Sequence, residues 1–251
     1  MNIKIEAFLD ATYLKPIELS GLSEKEDEKN VFDLLNEAMT KKYKLVMIRP
    51  EYVEKAKSFL ISNRSNVLVG TVIDFPKGSG GLEIKLIEAE KAIENGSDDL
   101  DFVIDYEAFK RGEIEKVQNE VKECTALCLK HHKTVKWIIE TAALTDKEII
   151  QLTVLIKNIV IRFFDEADYS KVFIKSSTGF FKTKNNLPNG ANPHVITLML
   201  ENATPLFVKA SGGIKALEEA LFYISKGVKR IGTSSAKEIV KSQEESIKSI
   251  Y

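Results

Sequence analysis

Three lysines and an aspartate stand where a folded chain least tolerates charge. Asp101 lies in Asp98-Asp99-Leu100-Asp101-Phe102-Val103 and Lys136 in Val135-Lys136-Trp137-Ile138-Ile139-Glu140-Thr141. Lys175 closes Val172-Phe173-Ile174-Lys175, and Lys209 lies in Phe207-Val208-Lys209-Ala210. Each run is short and apolar, as a buried strand is. A charge inside such a strand costs desolvation unless it is paired or opens onto a cavity. Taken singly, each lysine reads as a strand end that snorkels to solvent. Four such charges on successive strands point instead to one site. A lysine is a poor nucleophile at its usual pKa of about 10.4, and a neighbouring cation depresses that value. A carboxylate close by moves protons. The residues alone leave open which of Lys136, Lys175 and Lys209 would be the nucleophile.

The segments after the Lys175 and Lys209 runs, and after a further strand-like run at Lys229–Gly232, share a second chemistry. They read Ser176-Ser177-Thr178-Gly179-Phe180, Ser211-Gly212-Gly213-Ile214 and Gly232-Thr233-Ser234-Ser235-Ala236. Small residues let backbone amides approach an oxyanion, hydroxyls add donors, and helical patterns follow at once. One Gly-Gly turn before a helix is ordinary capping. Three in a row read as a phosphate site.

Placing these groups together requires a repeated strand–helix frame. Strand patterns are expected at Ala7–Ala11, Lys44–Ile48, Val67–Ile73, Asp99–Ile104, Thr134–Glu140, Lys171–Lys175, Leu206–Ala210 and Lys229–Gly232. Helical patterns lie between them, among them Leu82–Asn95, Glu113–Lys130, Asp146–Asn158 and Lys215–Lys226. Gly96 and Gly227 follow the first and last of these, where glycine commonly ends a helix. Eight alternations over 251 residues predict a single (β/α)8 barrel (TIM barrel) spanning 1–251. An open doubly wound sheet loses support because no Gly-x-Gly-x-x-Gly turn follows an early strand.

Composition narrows the partners. The net charge of −1 leaves no basic excess for nucleic acid or an anionic membrane. No signal-like start and no apolar run near ~18 residues appears, so a cytoplasmic protein is expected. The two cysteines, Cys124 and Cys128, are expected as buried thiols. His131, His132 and His194 come with no ligand set at metal spacing, so no metal is expected.

The chain resembles the deoxyribose-phosphate aldolase family over nearly its whole length. The likeness runs in order through Leu9-Asp10-Ala11-Thr12-Tyr13-Leu14, Gly70-Thr71-Val72-Ile73-Asp74-Phe75-Pro76-Lys77-Gly78 and Ser97–Ile104. It continues through Lys136–Thr141, Ile174–Phe180, Val208–Ile214 and Arg230–Ser235. The resemblance implies a class I aldolase that cleaves 2-deoxy-D-ribose 5-phosphate to D-glyceraldehyde 3-phosphate and acetaldehyde. It implies Lys175 as the Schiff-base lysine, Lys209 as the cation that lowers its pKa, and Asp101 as proton shuttle. Asp10, Thr12 and Lys136 would be supporting polar groups. Thr178, Gly179, Gly212, Gly213, Gly232, Ser234 and Ser235 would hold substrate, mostly as a phosphate cradle. No cofactor is implied, because the iminium is itself the electron sink, and homodimers are common in the family.

The chain departs from the family pattern at several points. Ala11 stands for a usual His, Met47 for Cys, Ser176 for Thr and Asp74 for Gly. Met47 and Asp74 are expected near the mouth. The stretch Ile159–Ser170 is longer and more apolar than the family's approach to strand six, with an interface or a lid as candidate roles. The terminal Tyr251 resembles a tail tyrosine that reaches the active site in some members, although Ala236–Tyr251 reads mostly as helix. Two competing functions remain: a sister class I aldolase with another donor, and a catalytically silent sugar-phosphate-binding barrel.

Overall fold

In the computed structural model, residues 3–183 and 189–248 are described. Eight parallel strands close into a barrel in chain order: β1 Leu9–Tyr13, β2 Leu45–Ile48, β3 Leu68–Ile73, β4 Asp99–Val103, β5 Thr134–Ile138, β6 Val172–Lys175, β7 Phe207–Ser211 and β8 Arg230–Thr233. The seam closes where Asp10 of β1 lies beside Gly232 of β8. Eight principal helices follow the strands: α1 Glu24–Lys41, α2 Val53–Ser62, α3 Gly81–Glu94, α4 Ile114–Lys130, α5 Asp146–Phe163, α6 Pro193–Ala203, α7 Leu217–Ser225 and α8 Ala236–Lys248. Among the described residues no helix is long and apolar enough to cross a membrane.

Alternation along each strand divides the core in two. Outward residues pack under the helices, as where Phe102 stacks on Trp137 with ring centroids 5.1 Å apart. The Trp137 indole N–H donates to the Thr125 hydroxyl of α4 at 3.1 Å. Cys124 and Cys128 are free thiols buried on the same helix. Inward residues are themselves divided. Leu45, Met47 and Val72 form an apolar cluster with Leu14 on the β2–β3 side, while β4–β8 and β1 carry charges.

Several boundaries differ from the sequence expectation. The first strand begins at Leu9, because Ile5–Phe8 winds into a 3₁₀ turn whose Ile5 amide is held by Gln243 of α8 at 3.3 Å. The fifth strand stops at Ile138, since Glu140 takes a left-handed φ of 54°. The last inter-strand helix starts at Leu217, leaving residues 212–216 free to form a loop. The stretch Ile159–Ser170 is the last turn of α5 followed by 3₁₀ winding over Glu166–Lys171. It enters β6 at its N-terminal end, on the face opposite the C-terminal rim, so a lid over that rim is excluded. Tyr251 lies outside the described residues.

Met47 and Asp74 both stand toward the C-terminal end of the barrel, Met47 within β2 and Asp74 directly after β3. Met47 is fully buried in the apolar cluster, with Phe75 and Phe180 packed against that cluster. Asp74 anchors the loop after β3: its carboxylate lies 2.9 Å from the buried Lys85 ammonium. Lys85 donates to the Gly78 carbonyl at 2.7 Å and pairs with Glu120 at 3.1 Å.

Candidate active site

Parallel strands place all their C-terminal ends on one rim, and the sequence-selected charges converge beneath it. Register sets Asp101 beside Lys136 and Lys175 beside Lys209. Asp101 accepts from all three lysines. Lys136 donates to Oδ1 at 2.8 Å; Lys175 and Lys209 donate to Oδ2 at 2.9 and 2.7 Å. Asp101, Lys136 and Lys209 are wholly enclosed, whereas Lys175 keeps 4 % exposure and reaches a cavity.

That cavity, about 540 Å³, opens at the rim. Lys175, Thr12, Thr178, Gly179, Gly212, Gly213, Gly232 and Ser234 line it, as the sequence motifs anticipate. Tyr13, Leu14, Lys15, Leu19, Phe180, Ile214 and Lys215 complete much of the wall. Ser235 lies just behind the wall, with its amide donating to the Thr233 hydroxyl at 2.9 Å. Asp10 and Lys136 do not reach the cavity; both are fully buried below it.

The hydroxyls of Ser176, Thr178 and Ser211 are spent on joining loops to one another. Ser176 Oγ donates to the Ser211 carbonyl and accepts from the Ser211 amide, both at 2.9 Å. Ser211 Oγ donates to the Ser177 carbonyl at 2.6 Å. Thr178 donates its hydroxyl proton to Glu140 and accepts from the Phe180 amide at 3.0 Å. The loops are therefore stapled into one surface, and backbone amides are left as its principal oxyanion donors. Gly212 has φ 93°, a left-handed value that suits glycine, and lies pressed against Gly190. A Cβ on Gly190 would come within 2.1 Å of the Gly212 carbonyl oxygen.

The electrostatics follow from burial and pairing. Burial, then the charges of Lys209 and Lys136, bring the Lys175 ammonium down to about 8 against the pull of Asp101. The sequence expectation credits a neighbouring cation; burial is the larger cause. Burial also opposes the charge on Lys136, but Asp101, Asp99 and Asp10 outweigh it and hold its pKa above the usual lysine range. For Asp10, burial is overcome by Arg230, Lys209 and Lys136, which bring it to about 2. For Asp101, burial is likewise overcome, by Lys136, Lys175 and Lys209, and the carboxyl stays well below the usual range. Burial pushes Glu140 up, opposed by its hydrogen bonds from Thr178 and by Lys175.

Sequence reasoning passed over Arg230, Asp99, Glu140 and Gly190. Arg230 donates to Asp10 at 2.6 Å and to Asp99 at 2.9 Å. Both were within reach of a period-two reading: Asp99 lies two residues before Asp101, and Arg230 two before Gly232, on the same inward faces. Glu140 and Gly190 carry no such signal, because loops bring them to the site. Among the described residues no group of three or more His, Cys, Asp or Glu is arranged to hold a metal ion.

A closed barrel whose C-terminal rim carries a buried, low-pKa lysine beside an amide-rich cleft defines an enzyme site of the lysine-dependent barrel type. The family model described as "DeoC/LacD family aldolase" matches residues 12–241. A deoxyribose-phosphate aldolase of Thermococcus gammatolerans is 36% identical over 241 residues, covering 96% of each chain. One from Metamycoplasma hominis is 40% identical over 207 residues, covering 82% of this chain and 86% of that protein. A solved deoxyribose phosphate aldolase from Aeropyrum pernix, described as having a unique tetrameric structure, superposes with TM-score 0.76 at 28% identity, covering 97% of this chain and 93% of that one. The chain belongs to the DeoC/LacD aldolase family and is an aldolase, a carbon–carbon lyase.

Proposed function

We propose that the chain reversibly cleaves 2-deoxy-D-ribose 5-phosphate to D-glyceraldehyde 3-phosphate and acetaldehyde through a Schiff base on Lys175. One observation carries this reading: of the three inward lysines, only Lys175 opens onto the cavity, and its pKa is brought down to about 8. A useful fraction is thus a free amine near neutrality.

The amine adds to the C1 aldehyde of the open-chain sugar, and water leaves to give an iminium. The C2–C3 bond then breaks, its electron pair passing into the iminium to form an enamine. The C3 hydroxyl proton passes through water to Asp101, the anion nearest the amine. D-Glyceraldehyde 3-phosphate departs, C2 of the enamine takes a proton, and water releases acetaldehyde and restores the amine. The iminium is the electron sink, so the scheme calls for no cofactor.

The 5-phosphate is assigned to the amides of Gly212, Gly213 and Ser234, with Gly179 and Gly232 admitting close approach and Ser235 supporting the loop from behind. Two helices, α7 and α8, begin just beyond these loops and add the positive ends of their dipoles. Lys15 and Lys215 on the cavity wall supply charge. Thr12, on the β1 side of the same cavity, is assigned to the sugar. Asp10 and Lys136 are assigned a supporting role from below. A homodimer is part of the same proposal, and light scattering reads it directly.

The test is cleavage of 2-deoxyribose 5-phosphate in the presence of EDTA, coupled to detection of glyceraldehyde 3-phosphate. Borohydride reduction with substrate should leave a stable adduct on Lys175. No cleavage, or an adduct on another lysine, rejects the assignment.

A further inference from the structure

Seven charged side chains meet in the barrel interior, and six of them close a ring. Arg230 bridges Asp10 and Asp99 at 2.6 and 2.9 Å. Lys136 bridges Asp99 and Asp101, at 2.8 Å to each. Lys209 bridges Asp101 and Asp10 at 2.7 and 2.6 Å. At 2.9 Å or less every cation of the ring touches two of its carboxylates and every carboxylate two of its cations. Lys136 also lies 3.9 Å from Asp10 across the ring, and three charges of each sign leave it neutral. Lys175 stands outside it, paired with Asp101 alone at 2.9 Å. The other charges facing Lys175 are Lys209 on β7, Lys136 on β5 and Glu140 beyond β5.

We propose that this ring is a charge template that makes Lys175 the surplus cation of the interior, with Arg230 and Asp99 as positioning residues that govern its protonation from below. The inference rests on Lys175 being the reactive amine and deepens that reading. Arg230 and Asp99 line no part of the cavity, and their ion pairs all lie within the ring. A buried set with one cation too many relieves itself by releasing a proton. Loss from Lys136 or Lys209 would strip two carboxylates of a partner; loss from Lys175 strips only Asp101, which keeps two others. Arginine cannot release its proton at all. Lys175 also borders the cavity, where water can take the proton.

Opposite signs at two positions test the template. Arg230→Gln leaves the ring one charge negative, so Lys175 holds its proton more tightly. Asp99→Asn leaves it one charge positive, so Lys175 releases its proton more readily. At an effective dielectric near 20, each change should move the Lys175 midpoint by about one unit, up and down respectively. The double variant restores neutrality and should return the midpoint to within roughly half a unit of the parent value. The readout is competitive acetylation of Lys175 with acetic anhydride across pH, followed by peptide mass spectrometry. The parent midpoint is expected near 8. In parallel, kcat/KM of Arg230→Gln at neutral pH should fall about tenfold and recover at higher pH. Shifts of the same sign, or no shift in either variant, would overturn the proposal. If one single variant does not fold, the other decides together with the double: a shift of the stated sign that the double cancels supports the template, and no shift or one of the opposite sign refutes it. The labelling needs no substrate, so a parent protein that gives no borohydride adduct rejects the Schiff-base assignment without touching this test.

Discussion

At Lys175 the amine meets one carboxylate and an open cavity, whereas Lys136 and Lys209 each bridge two carboxylates in full enclosure. That difference in contacts is what supports proposing Lys175 as the nucleophile and the other two as structural cations. Lys175→Leu should lower turnover by at least about a thousandfold and abolish the borohydride adduct. Lys209→Leu should lose a comparable factor, since it removes both a cation beside the amine and a partner of Asp101, yet keep a trace of adduct. Mass mapping of reduced protein distinguishes the two. Glu140 acts elsewhere, receiving both the amide and the hydroxyl of Thr178. Glu140→Ala should raise KM for the phosphorylated sugar several-fold, about 1 kcal/mol for a lost charge-assisted hydrogen bond. Imine formation with acetaldehyde alone should change much less; equal loss of both would refute a loop-positioning role.

At the scale of elements, the loops after β6 and β7 behave as one piece. Ser176, Ser177 and Ser211 join them, and the amide of Ala191 donates to the carbonyls of Ser211 and Gly212 at 3.1 and 3.0 Å. Gly190 sits where this return segment touches Gly212, and no side chain fits between them. Gly190→Ala must displace the Gly212 backbone, so KM for 2-deoxyribose 5-phosphate should rise about tenfold or more. Cleavage of unphosphorylated 2-deoxyribose should be affected far less, and kinetics on both sugars provide the check. The strands themselves were visible in the sequence as apolar runs, and their inward charges as violations of those runs. The Gly190–Gly212 contact was not, because no local pattern links a return segment to the loop it packs on.

At the scale of the whole molecule, the charged interior ties stability to pH. The folded pKa of Lys175 lies below its ordinary value of 10.5, so its charge is a penalty on folding. The penalty is fully present below pH 8 and is relieved as pH rises toward 10.5. Lys175→Met removes it and leaves the neutral ring in place. At neutral pH this variant should be inactive yet more stable, by on the order of 2 kcal/mol, measurable by urea denaturation. Asp10 has the opposite sign: its stabilisation is present above about pH 4 and is lost as pH falls through about 2. Thermal melts across that window should show a steepening loss, which an Asp10→Asn variant, already lacking the contribution, should not share.

The amino-acid sequence by itself determined the barrel, because strand and helix periodicities and their eightfold alternation are local properties of the chain. It also marked Asp101, Lys136, Lys175 and Lys209 as a set, because charge inside an apolar run is visible without any contact. It could not rank the lysines from their residue types; the family likeness singled out Lys175, with no physical reason for the choice. Only the tertiary structure offers a physical reason for proposing Lys175. The closure of β1 on β8 brings Asp10 and Arg230 to Asp99, from positions 10, 230 and 99 of the chain. The value of a buried charge is set by how many opposite charges surround it, and those neighbours come from strands far apart in the chain.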